Sequence, residues 1–117
     1  MKKLILFMVV ILLSSSLASG YNVYIHSYKI NRTDCINLLK EIPDNYMTVV
    51  KAFHFYKIYT DFEGISKDGV ITLTDGCEMT EWNKTVLVHE LAHASTGYRH
   101  SGIFYKKENE IWQSTLA

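Results

Sequence analysis

The sequence predicts a small α+β domain in which a short, mostly antiparallel sheet packs on a helix carrying HELAH, His89 to His93. Three observations predict it. Segments rich in aromatic and β-branched residues, several with polar and apolar side chains in alternation, fill the chain between Asn22 and Thr74, as half-buried strands require. From Thr80 the period becomes helical, with Trp82, Val86, His89 and His93 recurring at three- and four-residue spacing. The chain has 117 residues, 48% hydrophobic and 21% charged, which suits one core and leaves no length for a second domain.

The amino end stands apart from this domain. Lys2 and Lys3 precede an apolar run from Leu4 to Leu13, and SSSLASG follows, which is the order of charge, apolar core and small residues in a secretory signal peptide. Small residues at Ser16 and Ala18, or at Ala18 and Gly20, allow cleavage after Ala18 or after Gly20. The ten-residue apolar run is short against the roughly 20 residues of a spanning helix. Residues 1–20 are therefore expected to be a signal peptide and residues 21–117 the exported domain, with a membrane anchor over residues 4–19 as the alternative.

Each element follows in order. YNVYIHSYKI alternates and predicts a strand over Asn22 to Ile30. Asn31 to Thr33 turns the chain, Thr33 or Asp34 caps a helix over CINLLKEI, and Pro43 ends it. A β-rich run spans Met47 to Tyr59, and Asp61 to Lys67 reads as loop. Asp68-Gly69 is a turn signal, VITLT is a strand, and Asp75-Gly76 breaks it. Thr80 caps the main helix, with Glu81 in its first turn and Gly97 as its stop. Its Trp82, Val86 and histidine stripe is expected to face inward. IFYKKENEIWQ predicts a last helix, so the order is β-α-β-β-α-α.

Charge and cysteines narrow the function. Loss of Lys2 and Lys3 leaves ten basic against twelve acidic residues, a formal charge of −2, and no basic face for nucleic acid. Export would place Cys35 and Cys77 in an oxidising compartment. A bridge between them would close a loop of about 40 residues and contribute about 3 to 4 kcal/mol; the rival reading makes one of them a metal-binding thiolate.

The chemistry lies in VHELAHASTGYRH, Val88 to His100. On a helix His89 and His93 stand one turn apart, so both imidazoles reach one ion. Glu90 points to the adjacent side, where it can touch a metal-bound water without being a ligand. Zinc held by neutral histidines lowers the pKa of that water toward about 7, and Glu90 is then placed to take its proton and pass it to a leaving amine. A chance match of this motif in about 100 residues is expected in fewer than about one chain in a hundred. A catalytic zinc needs a third protein ligand. His100, just past the Gly97 break, is the first choice; Glu108 and Glu110 on the last helix are the rivals, and a glutamate that is not a ligand is free to orient one.

HELAHASTGYRHSGIF, with His100 followed four residues later by Phe104, resembles the third-histidine pattern of SprT-like and WLM-type zinc metallopeptidases. The match covers about a fifth of the chain, and it departs from the metzincin motif because Gly97 and His100 are each displaced by one residue. The resemblance implies a minimal zincin-like domain with Zn2+ on His89, His93 and His100 and Glu90 as general base. It also implies that VITLT is a sheet-edge strand able to pair with an extended substrate; an interior strand is the other reading. The expected function is exported, zinc-dependent hydrolysis of peptide or protein substrates. The intracellular, partly DNA-associated substrates of those families do not transfer to a chain with a signal sequence and no basic extension. The alternative is a zinc-binding, non-catalytic secreted or membrane-anchored interaction protein, which would have no need of Glu90. Tyr98, Arg99 and Tyr105 are near enough in sequence to serve an oxyanion, whereas His26 and His54 on strand-like runs read as half-buried structural residues.

Overall fold

A computed structural model describes Gly20 to Leu116. The expected signal peptide lies outside the described residues apart from Gly20. Among the described residues no helix is long and apolar enough to cross a membrane. The elements are β1 (Asn22–Ile25), α1 (Arg32–Leu39), a 3-10 turn (Asp44–Tyr46), β2 (Ala52–Phe55), β3 (Gly64–Lys67), β4 (Val70–Leu73), α2 (Glu81–Thr96) and α3 (Gly102–Thr115).

Four strands form one mixed sheet in the order β1-β2-β4-β3. Two of its three pairings, β1 with β2 and β2 with β4, are parallel, and only the β3–β4 hairpin is antiparallel. The expectation of a mostly antiparallel sheet is corrected here. For β1 and β2 the physical reason was present in the sequence: a helix between two strands is a crossover, and a crossover returns the chain in the same direction; β2 and β4 run parallel because β3 lies between them in the chain and pairs antiparallel with β4. The α+β class and the helix-on-sheet packing agree with expectation.

Alternation decides the faces. Val23, Phe53, Phe55, Ile71 and Leu73 are buried on one face, and their register neighbours Tyr24, His54 and Thr72 point the other way. A single core joins that apolar face to Leu38 and Leu39 of α1, Met47, Leu87, Val88 and Leu91 of α2, and Ile111 of α3. The α1 cap is Asn31, whose side chain accepts from Thr33 N and Asp34 N; neither Thr33 nor Asp34 is the cap. Asx oxygens bond backbone two and three residues on, so the turn residue itself starts the helix. The Met47–Tyr59 run gives strand only from Ala52, because Met47 N and Val50 N close successive turns onto Asp44 O and Met47 O. Cys35 and Cys77 are bridged, with Cα atoms 5.0 Å apart, tying α1 to the segment before α2.

The largest departure is β3. Residues read as loop form an edge strand, and VITLT is interior, between β2 and β3. GISK and VITL flank Asp68-Gly69, and Asp68 takes φ 53° in that turn. The hairpin signal was therefore available, but only one arm alternates clearly enough to read as strand.

Candidate metal centre

α2 starts at Thr80, whose side chain accepts from Asn83 N, and stops at Gly97. Its buried stripe is Asn83, Leu87, Val88, Glu90, Leu91 and Ala92. Trp82, expected to face inward, is 54% exposed, and Val86, His89 and His93 are half-buried. The stripe containing the histidines is thus adjacent to the core and faces a cleft, because a helix has room for two different apolar-leaning stripes and only the Leu87–Leu91 one meets the sheet.

The ligand-type atoms of His89, His93 and His100 all lie within 4.8 Å of one another. His100 Nε2 is 3.1 Å from His93 Nε2 and 3.3 Å from His89 Nε2. An ion bound tetrahedrally at about 2.0 to 2.1 Å separates its ligand atoms by about 3.3 Å, so the two separations from His100 match a zinc shell. The other ring nitrogens set the tautomers. His93 Nδ1 is 2.9 Å from Gly97 O, a carbonyl that only accepts, so Nδ1 carries the proton and Nε2 keeps its lone pair. His89 Nδ1 is 2.7 Å from Glu108 Oε2, with the same consequence for an ionised carboxylate. Lone pairs of two imidazoles therefore converge beside the third, and three neutral imidazoles of this kind are a donor set that fits zinc.

Phe104 carries the cluster from below. It is fully buried, and its ring centroid lies 4.9, 4.4 and 4.9 Å from those of His89, His93 and His100. Ser101 caps α3 by accepting from Phe104 N, so the turn after Gly97 fixes His100 and Phe104 together. Glu108 and Glu110, the rival third ligands, do not join the histidine cluster. Glu108 contacts the back of His89, and Glu110 pairs with Lys107 at 3.3 Å; the Tyr46 hydroxyl first, and then Lys107, hold its carboxyl below the usual range.

Glu90 is 6% exposed. Burial raises its pKa, and the neighbouring His89 and His100 pull it back down. Gly64 at the start of β3 makes the approach possible: a Cβ there would stand 2.9 Å from both Glu90 Cγ and Val86 Cγ1. Two cavities flank β3. One of about 360 Å³ lies beside Glu90 and His89 and is bounded by Phe62, Trp82 and Val86; the other, about 870 Å³, runs past Ser66, Lys67, His93 and Thr96 to Tyr98. Reasoning from sequence missed Phe62, Glu63 and Gly64 because they lie in Asp61 to Lys67, which read as loop.

The remaining sequence candidates divide. Tyr98 is 81% exposed at the end of the larger cavity, Tyr105 stacks toward His100 with centroids 6.2 Å apart, and Arg99 is exposed. His26 and His54 share a hydrogen bond of 2.7 Å on the sheet face opposite the core. Burial, and then His26, lower the His54 pKa.

Fold and cluster together define a class: a small α+β domain with a four-stranded mixed sheet and three histidines close enough to hold one metal ion. The solved proteins it is similar to are Wss1 structures. Wss1 from Saccharomyces cerevisiae is 22% identical with a TM-score of 0.55, the match covering 80% of this chain and 86% of that one. Wss1 from S. pombe is 17% identical with a TM-score of 0.57 over 85% of this chain and 95% of that one. A glutamate-to-glutamine mutant of the S. pombe protein also matches, at 16% identity and a TM-score of 0.54 over 82% of this chain and 97% of that one. At these identities the likeness is one of fold, and it supports the resemblance carried by His89 to Phe104. No protein-family model and no curated protein sequence matches the chain.

Proposed function

We propose that the domain is an exported zinc metallopeptidase in which His89, His93 and His100 hold the ion and Glu90 is the general base. The observation that carries this is the convergence of three Nε2 atoms at 3.1 and 3.3 Å beside a buried carboxylate that borders a cavity. Zinc bound there would polarise a scissile carbonyl and make hydroxide available from water near neutral pH.

This chain's residues supply the rest. Gly97 O and the Glu108 carboxylate hold the two helix imidazoles in the tautomer that offers Nε2. Glu90 Oε takes a proton from the attacking water and delivers it to the nitrogen of the breaking C–N bond, leaving a carboxylic acid and an amine. Burial favours that shuttle, since a carboxylate with a raised pKa is a stronger base. As an edge strand of the sheet, β3 leaves a row of backbone groups for an extended peptide, and the two cavities beside it border His89 and His93. The strand expected to do this was β4; the edge position transfers the role to β3.

Glu90→Gln tests the enzyme. Zinc content of the purified mature protein should equal that of the parent, while peptide cleavage falls by about 10²- to 10⁴-fold, with chelator abolishing the parent's activity as the control. A parent that holds zinc and cleaves no peptide, in line with Glu90→Gln, would instead be the non-catalytic zinc-binding protein. Edman sequencing of the exported chain reads whether residues 1–20 are removed or kept as an anchor.

A further inference from the structure

We infer that the cavity between α2 and the loop before β3 is a subsite for a basic side chain, so that the enzyme cleaves on the amino side of arginine or lysine. The inference rests on the metallopeptidase reading and adds a substrate class to it.

Polarity follows from the proton path. Glu90 delivers its proton to the leaving nitrogen, so the residue that contributes this nitrogen lies on the Glu90 side of the histidines. The side chain of that residue meets the cavity of about 360 Å³ bordered by Glu90, Val86, Trp82, Phe62, Glu63 and Asp61. Glu90 is itself more than nine-tenths buried and borders that cavity.

The lining selects the occupant. Trp82 and Phe62 leave 54% and 43% of their surfaces exposed, a large aromatic area at a cleft mouth. Asp61 and Glu63 are exposed and form no ion pair among the described residues, and no lysine or arginine lines the cavity. The nearby cations are engaged elsewhere: Lys57 with Asp75 and Glu78, and Lys84 with Glu41 and the Trp112 ring. Aromatic faces with unpaired carboxylates at the rim match a guanidinium or ammonium on an apolar stem, since the stem covers the rings and the charge meets the acids. The rim is held in place. Thr74 Oγ1 donates to Phe62 O at 2.6 Å, and Thr74 N donates to Glu63 O at 2.9 Å, so the subsite is formed before a substrate arrives.

Two readouts test it. Digestion of a peptide library by the zinc-loaded parent should yield new amino termini enriched in arginine and lysine. In Asp61→Asn/Glu63→Gln, kcat/KM for a peptide with arginine after the cut should fall about tenfold, and by less than about twofold for the matched peptide with norleucine there. The second readout needs no turnover. Glu90→Gln/Trp112→Phe protein without metal keeps Trp82 as its single tryptophan, and its fluorescence should respond saturably to an acetylated arginine peptide and not to the citrulline isostere. New termini that are large and apolar, or of no preferred type, overturn the inference, as does an equal response to arginine and citrulline. No cleavage at all together with an arginine-selective response sinks the peptidase and leaves the basic subsite standing.

Discussion

At the residue scale the site depends on which nitrogen of each histidine is free. Glu108 Oε2 sits 2.7 Å from His89 Nδ1, so Glu108→Ala should weaken zinc about 10- to 100-fold in a chelator competition. Glu110→Ala, which removes a carboxylate directed at Lys107 and Tyr46, should leave zinc affinity unchanged. The Tyr46–Glu110 pair gives a pH signature. The Tyr46 hydroxyl holds the Glu110 carboxyl below the usual carboxylate range, and Glu110 in turn raises the Tyr46 phenol above its usual range. A depressed carboxyl contributes stability that is present above its unfolded pKa and lost as pH falls through its folded pKa; a raised phenol contributes stability lost as pH rises through its folded pKa. Denaturant unfolding should therefore show Tyr46→Phe less stable than the parent at neutral pH, with the difference vanishing in acid and in strong base. HELAH was legible because helix geometry alone sets the spacing of His89 and His93. Glu108 was legible only as a choice of roles, because its partner lies 19 residues away across an interhelical contact.

At the element scale, two breaks in regular structure build the centre. Gly97 has φ 113° and ψ 178°, a region open essentially to glycine alone. From that residue the carbonyl bonds His93 Nδ1, and beyond it the chain swings His100 back to the pair. Nothing stands within 4 Å of a Cβ built there, so the cost of a side chain is backbone strain alone. Gly97→Ala should lose about 1 to 3 kcal/mol in thermal or denaturant unfolding, and zinc affinity should fall with it, because relief of the strain moves both His93's partner and His100. The helix limits at Thr80 and Gly97 were readable as cap and stop. β3 was not, since four residues with a glycine, a serine and a lysine make a strand only when a neighbour such as β4 pairs with them.

At the scale of the whole molecule, the bridge and the centre stabilise different parts. Cys35–Cys77 spans 42 residues and joins α1 to the segment before α2, while the histidines lie on α2, the turn after it and the α3 packing beyond. Cys35→Ser/Cys77→Ser should cost about 2 to 5 kcal/mol and lower Tm, with the zinc affinity of the folded fraction within a few-fold of the parent's. A large loss of zinc affinity in protein still folded by circular dichroism would show that the two regions are coupled.

The sequence by itself determined the α+β class, the α2 limits, and the His89, Glu90 and His93 constellation. These follow from periodicity, capping and composition, which act over one or two turns of chain. Only the tertiary structure decided that β4 runs parallel to β2, that Cys35 and Cys77 are bridged, that β3 is an edge strand, that Trp82 faces a cleft, and that His100 rather than Glu108 meets the helix pair. Each of these depends on what a segment packs against, and for short strands and exposed turns the packing partner outweighs local preference. The histidines show the division most plainly: two are placed by 3.6 residues per turn, and the third by a glycine turn, a serine cap and a phenylalanine that touches all three rings.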